Sequence, residues 1–368
     1  MTQYRIAAAA CLLSVIASLP PAIRADENDF TTVTTLASTV PANGDLNPYG
    51  VAVVRHNRGS LVKGNILVSN FNSSQNFQGT GTTIVQVSPQ GNVSLFASIS
   101  SASLPGACPG GVGLTTALVV LRSGWVIVGS LPTTDGTAAT AQPGCLIVLN
   151  SSGQVVETIA NAMIAGPWDM TARDDGDGAV LFVTNVLNPG TVAAGGTVVN
   201  NGTVLRIVLD VHRNAIPTVD SMTVIGSGFP THTDPAALVV GPTGVGLGFG
   251  DVLYVADTAG NRIAAISNAS HRQTSAGTGI TVTQGGSLNG PLGLAIGPFD
   301  TIATVNSQDG NLVLTTPFGF QFFTKQLDNS GSPAGAGALF GLAFGRDGLF
   351  FVDDATNTLN MLHGNSDH

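Results

Sequence analysis

The sequence predicts an all-β fold: a six-bladed β-propeller with four antiparallel strands per blade, its last blade closed by an N-terminal strand. Three observations predict it. A short β-rich run ending in a small polar or acidic residue recurs six times, an apolar strand precedes each copy, and the chain ends with the last unit one strand short. The composition agrees, since 47 Gly, 43% hydrophobic and only 10% charged residues suit many short buried strands joined by tight turns rather than solvated helices.

The recurring runs lie at 65–70, 125–130, 180–185, 251–257, 301–306 and 348–353, ending in Asn70, Ser130, Asn185, Asp257, Asn306 and Asp353. Repeats on this scale indicate a radial or stacked architecture. The apolar strands upstream, at 48–53, 111–114, 167–170, 235–240, 291–296 and 339–344, are nearly continuous in hydrophobicity and fit the innermost position of a blade. Third strands follow, as at 83–87, 146–149 and 204–209, and fourth strands, as at 93–97 and 155–159. Six blades are expected over 47–100, 108–165, 166–228, 229–288, 289–335 and 336–368. The last has no fourth strand of its own, and the segment 31–38, which resembles the fourth strand of the first blade, is expected to complete it and remove an exposed edge.

Ahead of the repeats, residues 1–25 read as a cleaved signal peptide: Arg5 supplies the basic start, 6–19 the apolar stretch, and Ala25 the small residue before the cut. A secreted or periplasmic protein is therefore expected. No later stretch is long and apolar enough to span a bilayer, so no membrane insertion is expected after processing. Loss of Arg5 and Arg24 leaves 11 basic against 22 acidic side chains. That balance excludes nucleic acid, whose binders need clustered Lys and Arg to displace phosphate counterions. Of the cysteines, Cys108 and Cys145 survive processing, and an oxidising compartment permits a bridge between them. No spacing of Cys and His suits a bound metal.

The stretch 252–263 runs from a strand ending in Ala256-Asp257-Thr258, through a Gly260-Asn261 turn, to Arg262-Ile263 opening the next strand. It resembles the NHL-repeat signature, specifically in this blade and more loosely along the rest of the chain. The resemblance implies a fold rather than one activity, because that family holds both binding proteins and enzymes. A more distant similarity is to the gluconolactonase and paraoxonase propellers, which hold a divalent cation in the channel on carboxylate and amide side chains. The comparable mouth positions here are Tyr49, Val112, Trp168, Ala236, Leu292 and Phe340, all apolar or aromatic, so no such metal is expected. A shift of one residue in that alignment would bring in Asp169 or Asp234.

Connections between second and third strands are long in blades one to three (71–81, 131–144 and 186–202) and short in blades four to six, for example 258–261 and 307–310. These loops share one face, here called upper, with the starts of the inner strands. Loops of this length often carry function, which selects the upper face as the working side. Cys108 and Cys145 are expected there, where a disulfide would pin the 131–144 loop. The ligand-binding candidates are Tyr49 and Trp168, which would either stack against a sugar ring or grip an apolar group or, as the commoner use of such rings, plug the channel as core, with Asn70, Asn185 and His232 beside them. The repeated polar ends of the second strands are expected chiefly to bond turn backbone. The acidic run 174–178 resembles a calcium loop, but it lacks a later Glu ligand and falls where a hairpin turn is needed.

The expected function is a non-enzymatic binding or interaction scaffold for a small molecule, glycan or protein, with no cofactor. The alternative is a lactonase-like hydrolase or lyase in which His232, Asp234 and Asp169 assist proton transfer at the channel mouth. No nucleophile elbow or phosphate loop accompanies them.

Overall fold

The computed structural model describes residues 32–212 and 215–364. The signal peptide expected at 1–25, the first residue of the expected closing strand, Thr31, and the chain end at 365–368 lie outside the described residues. Within them the chain forms six antiparallel sheets, five of them built in sequence order from an inner strand outward and the sixth completed by an N-terminal strand. The inner strands are Leu46–Val53, Leu114–Val120, Pro167–Asp174, Pro242–Leu247, Pro291–Ile296 and Leu339–Phe344. They stand side by side as a closed ring about a central channel. No helix is long and apolar enough to cross a membrane among the described residues.

Closure works as the short last repeat predicts. Val33–Ser38 pairs antiparallel with Thr358–His363, from Val33 opposite Leu362 to Ser38 opposite Thr358, and becomes the fourth strand of blade six. Side chains of each blade pack into the next, so apolar layers fill the wedges between blades. Ile84, Leu118 and Ile147 lie in the layer between blades one and two, and Phe182, Phe229 and Val255 in that between three and four. Such layers supply most of the stability of an all-β ring whose helical content is negligible.

The sheet of blade three departs from the expected boundaries. Its outer strand, Thr218–Asp234, is 17 residues long and overshoots the upper face, where the chain reverses and Leu238–Val240 pairs back on it. Blade four therefore starts at Pro242, not at 229, and 235–240 is a hairpin arm rather than an inner strand. Both segments are apolar and begin with proline, which is why the pattern does not separate them. The inner strand of blade two likewise starts at Leu114, so Thr115, not Val112, holds the mouth position.

The expected bridge is present: Cys108 and Cys145 are joined, with Cα atoms 5.2 Å apart. It ties the entry to blade two to the start of that blade's third strand, Cys145–Leu149.

Candidate functional site: a channel plugged above and open below

The polar residue ending each second strand sits opposite the first residue of its inner strand: Asn70 faces Pro48, Ser130 Leu114, Asn185 Pro167, Asp257 Pro242, Asn306 Pro291 and Asp353 Leu339. These side chains are buried and bond nearby backbone and turn groups. Asn70 Nδ2 donates to Thr39 O at 3.0 Å, Asn185 Oδ1 accepts from Gly166 N at 3.3 Å, and Ser130 Oγ accepts from Gly113 N at 2.9 Å. In the blade-four signature Asp257 accepts from Arg262 Nε at 2.8 Å and from Gly260 N at 3.0 Å, while the guanidinium also reaches Thr281 Oγ1 and Thr278 O. The Asp–turn–Arg spacing is thus a clamp closing one hairpin onto its neighbour.

One residue further along, the ring comprises Tyr49, Thr115, Trp168, Thr243, Leu292 and Phe340. The aromatics do not line an open mouth. Tyr49 lies between Phe71 and Phe340, with ring centroids 4.4 and 3.9 Å away, and Trp168 stands 6.2 Å from Tyr49. Tyr49 and Trp168 are only 2% and 3% exposed. Leu238 and Val239 of the blade-three hairpin complete this plug, and Trp168 Nε1 donates to Val239 O at 3.0 Å. The Tyr49 hydroxyl is buried with no hydrogen-bond partner. Burial, with the nearby charges of Asp354 and Asp234, pushes this phenol well above its usual range.

The long upper loops are stitched over the plug. Gln78 Nε2 of blade one donates to Pro235 O at 2.7 Å, Thr133 N of blade two donates to Gly79 O at 2.9 Å, and Thr233 N donates to Gly195 O at 3.0 Å. His232 Nδ1 lies 2.9 Å from Thr233 O, and Asp234 Oδ1 accepts from Ala236 N and Ala237 N across the hairpin turn. His232 and Asp234 therefore each serve the hairpin backbone, with no hydrogen bond between them. Asp169 stands apart from both, below the plug.

The next ring, Gly50, Thr116, Asp169, Gly244, Gly293 and Gly341, forms the channel's waist. The backbones of neighbouring inner strands approach so closely here that a Cβ on Gly293 would lie 1.8 Å from Phe340 O, and one on Gly341 2.1 Å from Tyr49 O. Every inner strand is bulged at this level, for example between Pro167 and Met170 and between Pro242 and Val245. Bulges re-aim backbone and side chains locally. Asp169 is the ring's one ionisable side chain. Its Oδ1 accepts from Met170 N at 2.8 Å and its Oδ2 from Val245 N of the next blade at 3.0 Å. Burial outweighs both bonds and pushes this carboxyl up to about 8, so at neutral pH it is protonated. With each oxygen already accepting an amide, its own O–H is left to donate.

Below the waist the channel holds a cavity of about 330 Å³ lined by all six inner strands, reaching from Asp169 and Met170 to Arg55 and Phe344. Arg55 is exposed, so the cavity opens on the lower face. Each inner strand is the edge of its sheet, so the walls present unpaired backbone N–H and C=O groups toward the channel. The signal for Asp169 was its Pro-Trp-Asp position; Arg55 carries none, being one of several basic residues in a loop.

The run 174–178 forms the lower hairpin turn of blade three. Asp174 Oδ1 accepts from Gly176 N at 2.8 Å and Asp175 Oδ1 from Gly178 N at 2.9 Å. Among the described residues no three His, Cys, Asp or Glu side chains come together as a metal site.

Fold and channel together define the class: a six-bladed β-propeller, stoppered at one end of its channel and open at the other. No family model and no curated protein matches the chain. Among solved structures it is similar to a gluconolactonase from Xanthomonas campestris (11% identity, 91% of this chain and 94% of that one, TM-score 0.56). It is also similar to a calcium-binding regucalcin from Agrobacterium tumefaciens (12%, 90% and 94%, 0.55). A luciferin-regenerating enzyme is a third such structure (11%, 91% and 96%, 0.57). At these identities the likeness establishes the six-bladed fold alone.

Proposed function

We propose that this propeller is a binding protein that takes a small, polar, uncharged or anionic molecule into the lower end of its channel. The cavity below the waist carries the reading: its walls are unpaired strand edges, its floor holds the O–H of a protonated Asp169, and its rim holds the Arg55 guanidinium. Such a site offers many directional hydrogen bonds and no fixed negative charge, which suits a sugar, sugar acid or lactone better than a cation. Tyr49 and Trp168 take part by closing the upper end, not by touching ligand.

The test is a thermal-shift and calorimetric screen of the mature protein against sugars, sugar acids and lactones. A ligand should raise the melting temperature of the wild type and not that of Ala172→Phe, which adds a ring to the wall of the lower cavity beside the apolar layer of blades two and three. Ligand binding that survives Ala172→Phe would place the site elsewhere.

A second reading rests on one observation, the burial of the Asp169 carboxyl at the floor of that cavity. A buried carboxylic acid that keeps its proton at neutral pH can act as a general acid, and lactone opening or a lyase step would use one. Turnover by the wild type that disappears in Asp169→Asn, with ligand affinity retained, would favour the enzyme.

A further inference from the structure

The lower face carries the turns between first and second strands and between third and fourth strands. In blades four and five these turns hold out large aromatic side chains: Phe249 is 76% exposed, Phe299 86%, Phe318 94% and Phe320 68%, with Ile280, 75% exposed, at the start of the outer strand of blade four. They sit on separate turn tips rather than around a groove. Two are fixed in place, since Asp300 accepts from Phe249 N at 2.9 and 3.0 Å and so ties the blade-four turn to that of blade five.

Phe299 also occupies an unfavourable conformation. The two hairpins have the same closing bond, Gly248 N to Val252 O and Gly297 N to Thr301 O, both 2.8 Å. Where blade four has Gly250 at φ 66°, blade five has Phe299 at φ 56°. A left-handed conformation is strained for an aromatic residue, and an exposed ring gains no core packing in return.

The adjoining turns are basic. Arg346 of blade six and Arg55, Arg58 and Lys63 of blade one are exposed on the same face, with Arg122 of blade two beyond them. Among the described residues the one acid in those blade-six and blade-one turns is Asp347, in a chain whose net charge is −9. Asp251 and Asp300 on blades four and five are engaged with backbone amides of Ser270 and Phe249. Exposed acids collect on blade three, as Asp175, Asp177 and Asp220 beside the paired Asp210 and His212. Blades four, five, six and one thus form a continuous crescent around the channel mouth, aromatic at one end and basic at the other, with blade three as its acidic gap.

We propose that this crescent docks the protein peripherally on an anionic lipid surface, the phenylalanine tips entering the interfacial region and the basic turns facing the headgroups. Protruding apolar tips beside basic side chains match a fluid, negatively charged interface. They offer no concave surface for a protein segment. Docking in this pose would turn the open end of the channel toward the membrane and tilt blade three away from it.

The test is co-sedimentation of the mature protein with vesicles of phosphatidylcholine alone or with added phosphatidylglycerol. The wild type should pellet with the anionic vesicles, less as salt rises, and stay in solution with phosphatidylcholine alone. Phe299→Gly and Phe318→Ser should each weaken binding about tenfold, with Phe299→Gly melting no lower than wild type. Phe77→Ser, on the upper face, should bind as wild type does. Three outcomes would overturn the proposal: no pelleting with anionic vesicles, equal pelleting with both lipids, or unchanged binding by the Phe299→Gly/Phe318→Ser double variant. A dimer in sedimentation velocity that the double variant abolishes would instead assign the crescent to a second copy of this chain.

Discussion

The two ends of the channel are built from the same six strands and differ in nearly everything else. Above the waist, Tyr49, Phe71, Trp168 and Phe340 stack into a stopper, roofed by a hairpin and three long loops that hydrogen-bond to one another. Below it, no such roof covers the channel, and a cavity remains whose floor is a protonated Asp169. Long loops are usually taken to mark the working face of a propeller; here they secure a closed one. The difference teaches that the cost of burying aromatic rings and strand ends has been met on one side, leaving backbone edges free on the other.

The largest expected effect comes from the floor. A folded-state carboxyl at about 8 keeps its proton while the same group in the unfolded chain loses it near pH 4, so the unfolded state alone gains from ionisation in between. Stability is therefore full below about pH 4 and falls as pH rises toward 8, by up to about 5 kcal/mol for Asp169. Asp354, pushed up to about 7 chiefly by burial and then by the Asp353 charge, adds in the same direction on the upper side. Denaturant unfolding from pH 4 to 9 should show this slope, and Asp169→Asn should remove about half of it. An unchanged slope would mean that the lower cavity is not the low-dielectric site described.

Next comes the stopper. If its rings are core, Trp168→Ala should cost about 3–5 kcal/mol, as large-to-small changes at buried aromatics do. If the upper end were instead an open, ligand-gripping mouth, the loss would be small and a ligand would restore it. The bridge beside it closes a loop with a sequence separation of 37. Its removal as Cys108→Ala/Cys145→Ala should cost about 3–4 kcal/mol, read as a lower midpoint in guanidinium, and the channel cavity should keep its ligand response.

Much of this was legible in the residues. The second strands, with their repeated polar ends, count the blades, and a last repeat lacking its fourth strand requires an N-terminal strand to fill it, because an unpaired edge is costly. Cys108 and Cys145 meet because the repeat places both on the upper face. The origin of blade four was not legible: 235–240 and 242–247 are both short, apolar and led by proline, and only the length of the preceding strand decides between them. Nor was the state of the channel. A bulge in every inner strand moves the register at the waist, and one residue decides whether a position holds Trp168 or Asp169. Exposure of Phe249 and Phe299 is equally hidden, since an aromatic beside a turn reads as core until the fold leaves its tip in solvent.

The smallest effect is the sharpest probe of the upper end. The Tyr49 ring is required to fill the stopper, but its hydroxyl is buried without a partner, and an unsatisfied buried hydroxyl carries the cost of its lost hydration. Tyr49→Phe keeps the stacked ring and removes that group, so it should raise stability by about 1 kcal/mol, whereas Tyr49→Ala should destabilise as Trp168→Ala does. The pair separates shape from chemistry at one position. Were the hydroxyl there to meet a ligand, Tyr49→Phe would leave the free protein no more stable and weaken binding. In a stopper, melting temperature rises and the ligand response of the lower cavity is untouched.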